Sequence, residues 1–248
     1  MTPVKEYSRP ATIDDAVALI AAGGRVVAGG TKANRKPNSF DGPPAPRAVV
    51  DIQDLGLTTI SIGSTGTAML EARVTLQQIA DQDGLPPVVR EAARREAPRP
   101  VRNAATVGGT IASRTPTSEL LAALLVYGTD VHIHAVGGTG ASVVSLADAL
   151  AEPIPSALIT KIELATHGDG AAHRVGRTPA DAPIVAAVGR EVDGRLVVAL
   201  AGVDHAPRLV APDAIDQLDP PPDFRGSSEY RRHLAAVLTS RVARELSE

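Results

Sequence analysis

Residues 97–120, "APRPVRNAATVGGTIASRTPTSEL", decide how the whole chain is read. The stretch places an Arg-Asn pair before Thr-Val-Gly-Gly-Thr, runs through a Thr/Ser-rich segment and ends on Glu119, just ahead of an apolar helix. Glycine lets a backbone approach a ligand closely and turn successive N–H groups into one concavity, which suits phosphate oxygens. Gly108-Gly109 is therefore expected to form a turn. A second segment of the same kind, "VVAGGTK" at 26–32, is also entered from an apolar residue and followed by Thr. Two such loops from separate units would clamp one dinucleotide between them. Neither is a G-x-G-x-x-G or a G-x-x-x-x-G-K-[ST], so the usual dinucleotide and P-loop folds are not indicated.

Composition narrows the remaining classes. With 248 residues the chain is long enough for two or three modest compact units. Apolar residues make up 44%, but only three tyrosines and two phenylalanines are aromatic, so the core must be Ala/Val/Leu/Ile packing. The net charge of −3, with both signs interspersed, leaves no footprint for nucleic acid. Without cysteine there is no disulfide, no thiolate metal site and no cysteine-ligated iron–sulfur cluster in this chain. If electrons pass through it, another carrier must hold them. No signal-like apolar segment opens the sequence and no run of about 18 uncharged apolar residues follows, so a cytoplasmic protein without a membrane span is expected.

Three units are expected along the chain. In the first, Thr12 caps a helix whose Ile13, Val17 and Ile20 share one face, Gly23-Gly24 stops it, and residues 25–28 form a strand feeding Gly29-Gly30-Thr31. "RAVVDI" at 47–52 is a further strand, after the Pro-rich "DGPPAPR". In the second, Thr75 caps a helix with Leu76, Ile79 and Ala80 inward, and "PPVVREAARREAP" at 86–98 is another helix. "TSELLAALLVYG" at 117–128 is a helix too apolar to be exposed, "DVHIHAV" a strand, and "SLADALAE" a short helix. In the third, "SALITKIEL" is a strand, residues 182–203 form a hairpin turning at Asp193-Gly194, and Leu234, Leu238, Val242 and Leu246 stripe a closing amphipathic helix.

Other candidate chemistry is thinner. His132 and His134 lie on one face of a predicted strand, but no third ligand is suggested nearby, and solvent-facing histidines are the simpler reading. A hydrolase lacks its cysteine or G-x-S-x-G. "VREAARRE" at 89–96 reads as a solvated helix face. The basic "TKANRKPN" at 31–38, with Lys32, Arg35 and Lys36, either meets phosphate beside the first glycine loop or is a polar surface loop.

The order of these pieces resembles the FAD-binding medium subunit of molybdenum hydroxylases, the carbon monoxide dehydrogenase and xanthine dehydrogenase flavoprotein family. The resemblance rests on "AGGTK" at 28–32, "VDI" at 50–52, "VRNAATVGGT" at 101–110 and "PTSEL" at 116–120. It continues in "LITKIEL", "LAGVDHAPR" and "DFRGSSEYRRHLAAVLTSRV", and so spans nearly the whole chain. It implies an α+β fold: a two-part PCMH-type FAD-binding domain over 1–155, made of a small βα subdomain (about 1–48) and a larger mixed α+β subdomain (49–155). An α+β C-terminal flavoprotein domain of antiparallel strands and helices, 156–248, would follow.

The resemblance further implies that the FAD pyrophosphate lies between the two glycine loops. Ala28, Gly29, Gly30, Thr31, Lys32 and Ala33 would supply main-chain N–H groups from one side, and Thr106, Val107, Gly108, Gly109 and Thr110 from the other. Hydroxyls would come from Thr31, Thr106 and Thr110, an acceptor for sugar or ribityl hydroxyls from Glu119, and an apolar contact from Ile159. The implied role is an electron-transfer subunit, taking electrons from the iron–sulfur clusters of a small partner subunit, fed by a molybdopterin large subunit, and passing them to NAD or another acceptor. The sequence departs from the family pattern at Lys32 (Asp or Ser), Glu71 (Gly), Thr110 (Asn) and Glu119 (Asp), and a carboxylate at Glu71 is expected to intrude on the flavin. These departures also admit a diverged member of the same fold that has lost redox function and serves as a scaffold, a ligand-binding protein or a cofactor-independent enzyme.

Overall fold

The structure, a computed structural model, describes residues 4–32, 47–136, 141–152, 154 and 156–248. Three sheets organise it. The first is a parallel sheet in the order β1-β3-β2, from β1 (Val4–Ser8), β2 (Arg25–Val27) and β3 (Arg47–Asp51). Helix α1 (Ile13–Ala21) connects β1 to β2; its cap is the expected Thr12, whose hydroxyl accepts the Asp15 N–H at 3.2 Å. The buried face of α1, Ala16, Val17 and Ile20, meets Val50 and Ile52 of its own unit and Leu158 of the next. Strand β3 begins at Arg47, so the "VVDI" segment belongs to this first sheet.

The second sheet is antiparallel in the order β4-β5-β8-β6-β7. Its strands are β4 (Ile60–Ile62), β5 (Thr67–Glu71), β6 (Asp130–Ala135), β7 (Ala141–Ser145) and β8 (Ala157–Ala165). Strand β8, read from sequence as the opening of the third unit, is hydrogen-bonded between β5 and β6. Five helices fall between β5 and β6: α2 (Leu76–Asp81), α3 (Pro87–Glu96), α4 (Arg99–Arg102), α5 (Val107–Ser113) and α6 (Glu119–Val126). A sixth, α7 (Leu146–Ala151), follows β7. Thr75 and Gln78 form a reciprocal capping box at the start of α2. Every residue of α6 is buried, which is why its sequence shows no polar face.

The third sheet is antiparallel in the order β12-β11-β10-β9 and is backed by α8 (Ser228–Ser247). Its strands are β9 (Gly170–Val175), β10 (Val185–Val192), β11 (Arg195–Ala201) and β12 (Arg208–Leu209). Alternation on β10 is readable on both faces: Val185 and Ala187 join the core against α8, whereas Ala186 and Val188 join the core that contains α6. The β10–β11 turn has Asp193 and Gly194 at φ 52° and 69°, the two left-handed residues of a tight hairpin turn. Together the three sheets give the α+β architecture expected from the sequence. Among the described residues no helix is long and apolar enough to cross a membrane.

An ion-pair cluster secures α8. Arg231 is 3% exposed; it donates to the carbonyls of Ile184 (2.9 Å) and Gly202 (2.8 Å) and pairs with Asp223 at 2.5 Å. Desolvation pushes the Asp223 carboxyl up, but the Arg225 N–H, the hydrogen bonds from Arg225 and Arg231 and the Arg231 charge outweigh it and hold it at about 2, against 3.8 ordinarily. A depressed acid stabilises the fold fully above its unfolded value and loses that contribution as pH falls toward its folded one. Stability is therefore expected to decline between pH 3.8 and about 2. Asp223→Asn should flatten that part of an acid-unfolding curve followed by circular dichroism; an unchanged slope would remove Asp223 as its cause.

Candidate functional site

The principal concavity of the described residues is a cleft of about 930 Å³, bounded by the loop after β2, the exposed side of α5 and the start of β8. That volume falls in the range of roughly 300–1,000 Å³ usual for small-molecule sites. The third unit contributes His205, from the loop between β11 and β12.

The first glycine loop lies against the chain entering α5. A Cβ built on Gly29 would lie 1.7 Å from the Ala104 carbonyl oxygen, so only glycine allows this contact, and Gly30 has φ 68°. Among the described residues nothing accepts a hydrogen bond from the N–H groups of Gly29, Gly30 or Thr31. Ala28 to Lys32 all line the cleft, and Ala33, Arg35 and Lys36 lie outside the described residues.

The second segment differs from the expected turn: Gly108 and Gly109 lie in the first turn of α5. Tertiary packing overrides glycine's low helix propensity here. A Cβ on Gly108 would sit 2.9 Å from both Cβ and O of Ala72, and the Gly108 N–H donates to that same oxygen at 2.9 Å. Thr106 caps the helix, its hydroxyl accepting the Gly109 N–H at 3.2 Å. The Val107 N–H donates to Val74 and the Thr110 N–H to Thr106. The Thr110 hydroxyl also turns back to the Thr106 carbonyl, at 2.9 Å. These amides already have partners, so the two glycine segments are not equivalent: the first presents open N–H groups and the second is a helix start bound to its own unit. Val107 is a core residue away from the cleft, whereas Thr106, Gly108, Gly109 and Thr110 line it. Ile159 lines it too.

Glu119 is placed differently. It is 4% exposed, is not among the cleft-lining residues, and its carboxylate pairs with Arg174 at 3.1 Å and Arg95 at 3.8 Å. Burial pushes its carboxyl above the usual carboxylate range, while Arg174 and then Arg95 pull it back. Its contacts join α6 to α3 and β9; the expected approach to a sugar or ribityl hydroxyl is not set up in this arrangement. Glu71 is turned aside as well. Its carboxylate accepts the Thr59 N–H at 2.7 Å and does not line the cleft.

Among the described residues, the charged side chains lining the cleft are Arg25, Lys32, Glu96 and Arg114. Lys32 Nζ donates to Ser113 Oγ and Thr115 Oγ1, each at 2.8 Å, tying the first loop to the end of α5. Glu96, at the end of the helix face read as solvated, turns inward: its Oε2 accepts from Ser118 Oγ at 2.9 Å and from the Leu120 N–H at 3.4 Å. Sequence reasoning missed Glu96 because i,i+4 charge alternation is the same whether a helix end faces water or a neighbouring helix; the Ser118 that meets it lies 22 residues away.

The model of the FAD binding domain in molybdopterin dehydrogenase matches residues 3–166. The chain belongs to this family. The matched span holds both glycine segments and the whole five-stranded sheet. Similarity extends beyond it: the uncharacterized protein YgfM of Escherichia coli K12 is 28% identical over 254 residues, covering 96% of this chain and 94% of its own length. Quinoline 2-oxidoreductase from Pseudomonas putida 86 superposes at a TM-score of 0.85 with 21% identity, covering 99% of this chain and 98% of that one. Carbon monoxide dehydrogenase from Hydrogenophaga pseudoflava, in a form lacking the Mo-pyranopterin moiety of its cofactor, gives 0.86 with 20% identity and the same coverage. Reconstituted CO dehydrogenase from Oligotropha carboxidovorans gives 0.82 at 24%, covering 99% of both chains. The fold family thus includes all three units, with residues 167–248 matched through structure.

His132 and His134, the other sequence candidates, lie on β6 and pair with Glu163 at 3.8 Å and Asp14 at 3.4 Å. Among the described residues no group of three or more His, Cys, Asp or Glu could hold a metal ion.

Proposed function

We propose that this chain binds FAD in the cleft between its first glycine loop and α5 and acts as the electron-transfer subunit of a molybdopterin-dependent hydroxylase or dehydrogenase. The observation that carries the reading is the run of N–H groups at Gly29, Gly30 and Thr31 with no acceptor among the described residues, in the lining of a cleft of dinucleotide size. Gly29 and Gly30 are half-buried, where amides without partners are costly, and phosphate oxygens would satisfy them. Lys32 adds a cation beside them, and Ile159 and Ile111 offer apolar surface to the rings of the cofactor. Gly109 and Thr110 shape the opposite wall through the α5 backbone rather than through free amides. Glu71, turned to Thr59, leaves the cleft clear.

Bound FAD would supply reversible one- and two-electron chemistry, and the residues around it would orient it and exclude water. In the proposed assembly, electrons arrive from iron–sulfur clusters on a small subunit, behind a molybdopterin subunit that hydroxylates the substrate, and leave to an external acceptor, NAD among them. The absence of cysteine fits this division, since any clusters then belong to a partner. The cytoplasm is the proposed location.

Reconstitution provides the test. The purified chain, mixed with excess FAD and passed through gel filtration, is expected to emerge yellow with close to equimolar flavin and quenched flavin fluorescence. A colourless protein after that treatment would sink the reading.

A further inference from the structure

Among the described residues the cleft contains one acid, Glu96, which the flavin reading leaves without a task. It is the last residue of α3, where the negative end of the helix dipole disfavours a carboxylate. Ser118 Oγ and the Leu120 N–H hold it at the start of α6. Burial pushes its carboxyl above the usual carboxylate range, and the Lys32 ammonium is the main charge that pulls it back. Lys32 itself is fixed by Ser113 and Thr115 and directly follows the open amides of Gly29 to Thr31. One cation thus serves the carboxylate and also borders the site offered to phosphate.

We propose that Glu96 and Lys32 couple phosphate binding in this cleft to proton uptake: a phosphate bound at Gly29–Thr31 takes over the charge of Lys32, and Glu96 accepts a proton from solvent. The inference rests on the cleft being a phosphate site, as in the FAD reading, and adds its pH response. The new negative charge destabilises ionised Glu96 directly and also draws Lys32 away from it, and both effects favour the neutral acid. Beside Lys32, the charged and titratable groups near Glu96 among the described residues are Glu119 on α6, with its partners Arg174 and Arg95 and the neighbouring Glu91, and Arg25, Arg114 and His205 in the cleft lining. Of these, Glu119 is compensated by Arg174 and Arg95.

The test is calorimetric titration of the full chain with FAD, with inorganic pyrophosphate and with riboflavin, in paired buffers of different ionisation enthalpy across acidic to neutral pH. FAD and pyrophosphate are expected to bind with proton uptake and riboflavin without it. FAD affinity should weaken with rising pH by up to about tenfold per unit within the coupling window. In Glu96→Gln, which mimics the protonated acid, uptake should vanish and the affinity become flat with pH. Lys32→Met, which removes the cation acting on Glu96, should shrink the uptake as well. FAD binding with no proton exchange, or with the same exchange in Glu96→Gln, overturns the coupling and leaves the FAD reading standing. Pyrophosphate binding with proton uptake but no FAD binding overturns the FAD reading alone. Binding of neither overturns both.

Discussion

Gly29→Ala is expected to abolish FAD uptake and to destabilise the protein together. The added Cβ would sit 1.7 Å from the Ala104 carbonyl oxygen, a main-chain atom that no rotamer change can move aside. The first loop must therefore lift away from the chain entering α5, or that chain must shift with it. Overpacking of this kind costs on the order of 3 kcal/mol. For a chain of this length that corresponds to a fall in Tm of roughly 6–12 °C. Binding should suffer more than stability, because the displaced atoms include the N–H groups proposed to hold the pyrophosphate. Gly23→Ala provides the contrast: a Cβ there meets nothing within 4 Å, its φ of 95° makes the change costly to stability, and it lies outside the cleft. It is expected to lower Tm while leaving FAD stoichiometry intact. Thermal melts and flavin titrations on both variants check this, and an unaffected Gly29→Ala would mean that the two segments do not meet as described.

The second large effect is expected at Arg231. Its guanidinium, 3% exposed, joins the Ile184 and Gly202 carbonyls to Asp223, so Arg231→Ala leaves three acceptors short of a donor. Leaving the two buried carbonyls without their donor costs about 1–3 kcal/mol each, while Asp223 keeps its pairing with Arg225. The consequence should reach the cleft. Gly202 donates its N–H to the Pro116 carbonyl at 2.8 Å, Pro116 lines the cleft, and His205 lies three residues further along the same loop. Arg231→Ala is therefore expected to weaken FAD binding as well as lowering Tm. Arg231→Lys, which keeps the charge but not the planar fork, should recover only part of each. If FAD affinity is unchanged when stability falls, the C-terminal unit does not shape the site through this loop.

What could be read from the sequence was local. Thr12 and Thr75 cap helices where expected, because an N-cap depends on a hydroxyl and an amide three residues on. The Asp193-Gly194 hairpin was equally legible, since its turn chemistry sits between two β-branched runs. The cleft was legible in part. The "AGGTK" loop, the α5 residues other than Val107, and Ile159 all line one cleft. Lys32 is also in place, bound to Ser113 and Thr115.

The remainder depended on partners distant in the chain. Strand β8 pairs with β5 and β6 because its hydrophobic face completes their sheet, and nothing within 157–165 records that preference. Gly108 and Gly109 looked like a turn by composition, yet one is needed because Ala72 packs against it and the other because it follows a capping Thr106. Glu119 and Glu96 are both acids near the N-terminus of α6. Only the positions of Arg174, Ser118 and Lys32 separate the one buried in an ion pair from the one turned to the cleft. The sequence by itself thus determined the helix starts, the hairpin, the family and the two glycine segments, all set by short-range chemistry or by motif order. The tertiary structure alone decided which glycine segment keeps its amides open and which acid faces the cleft, because both depend on groups brought together from far along the chain.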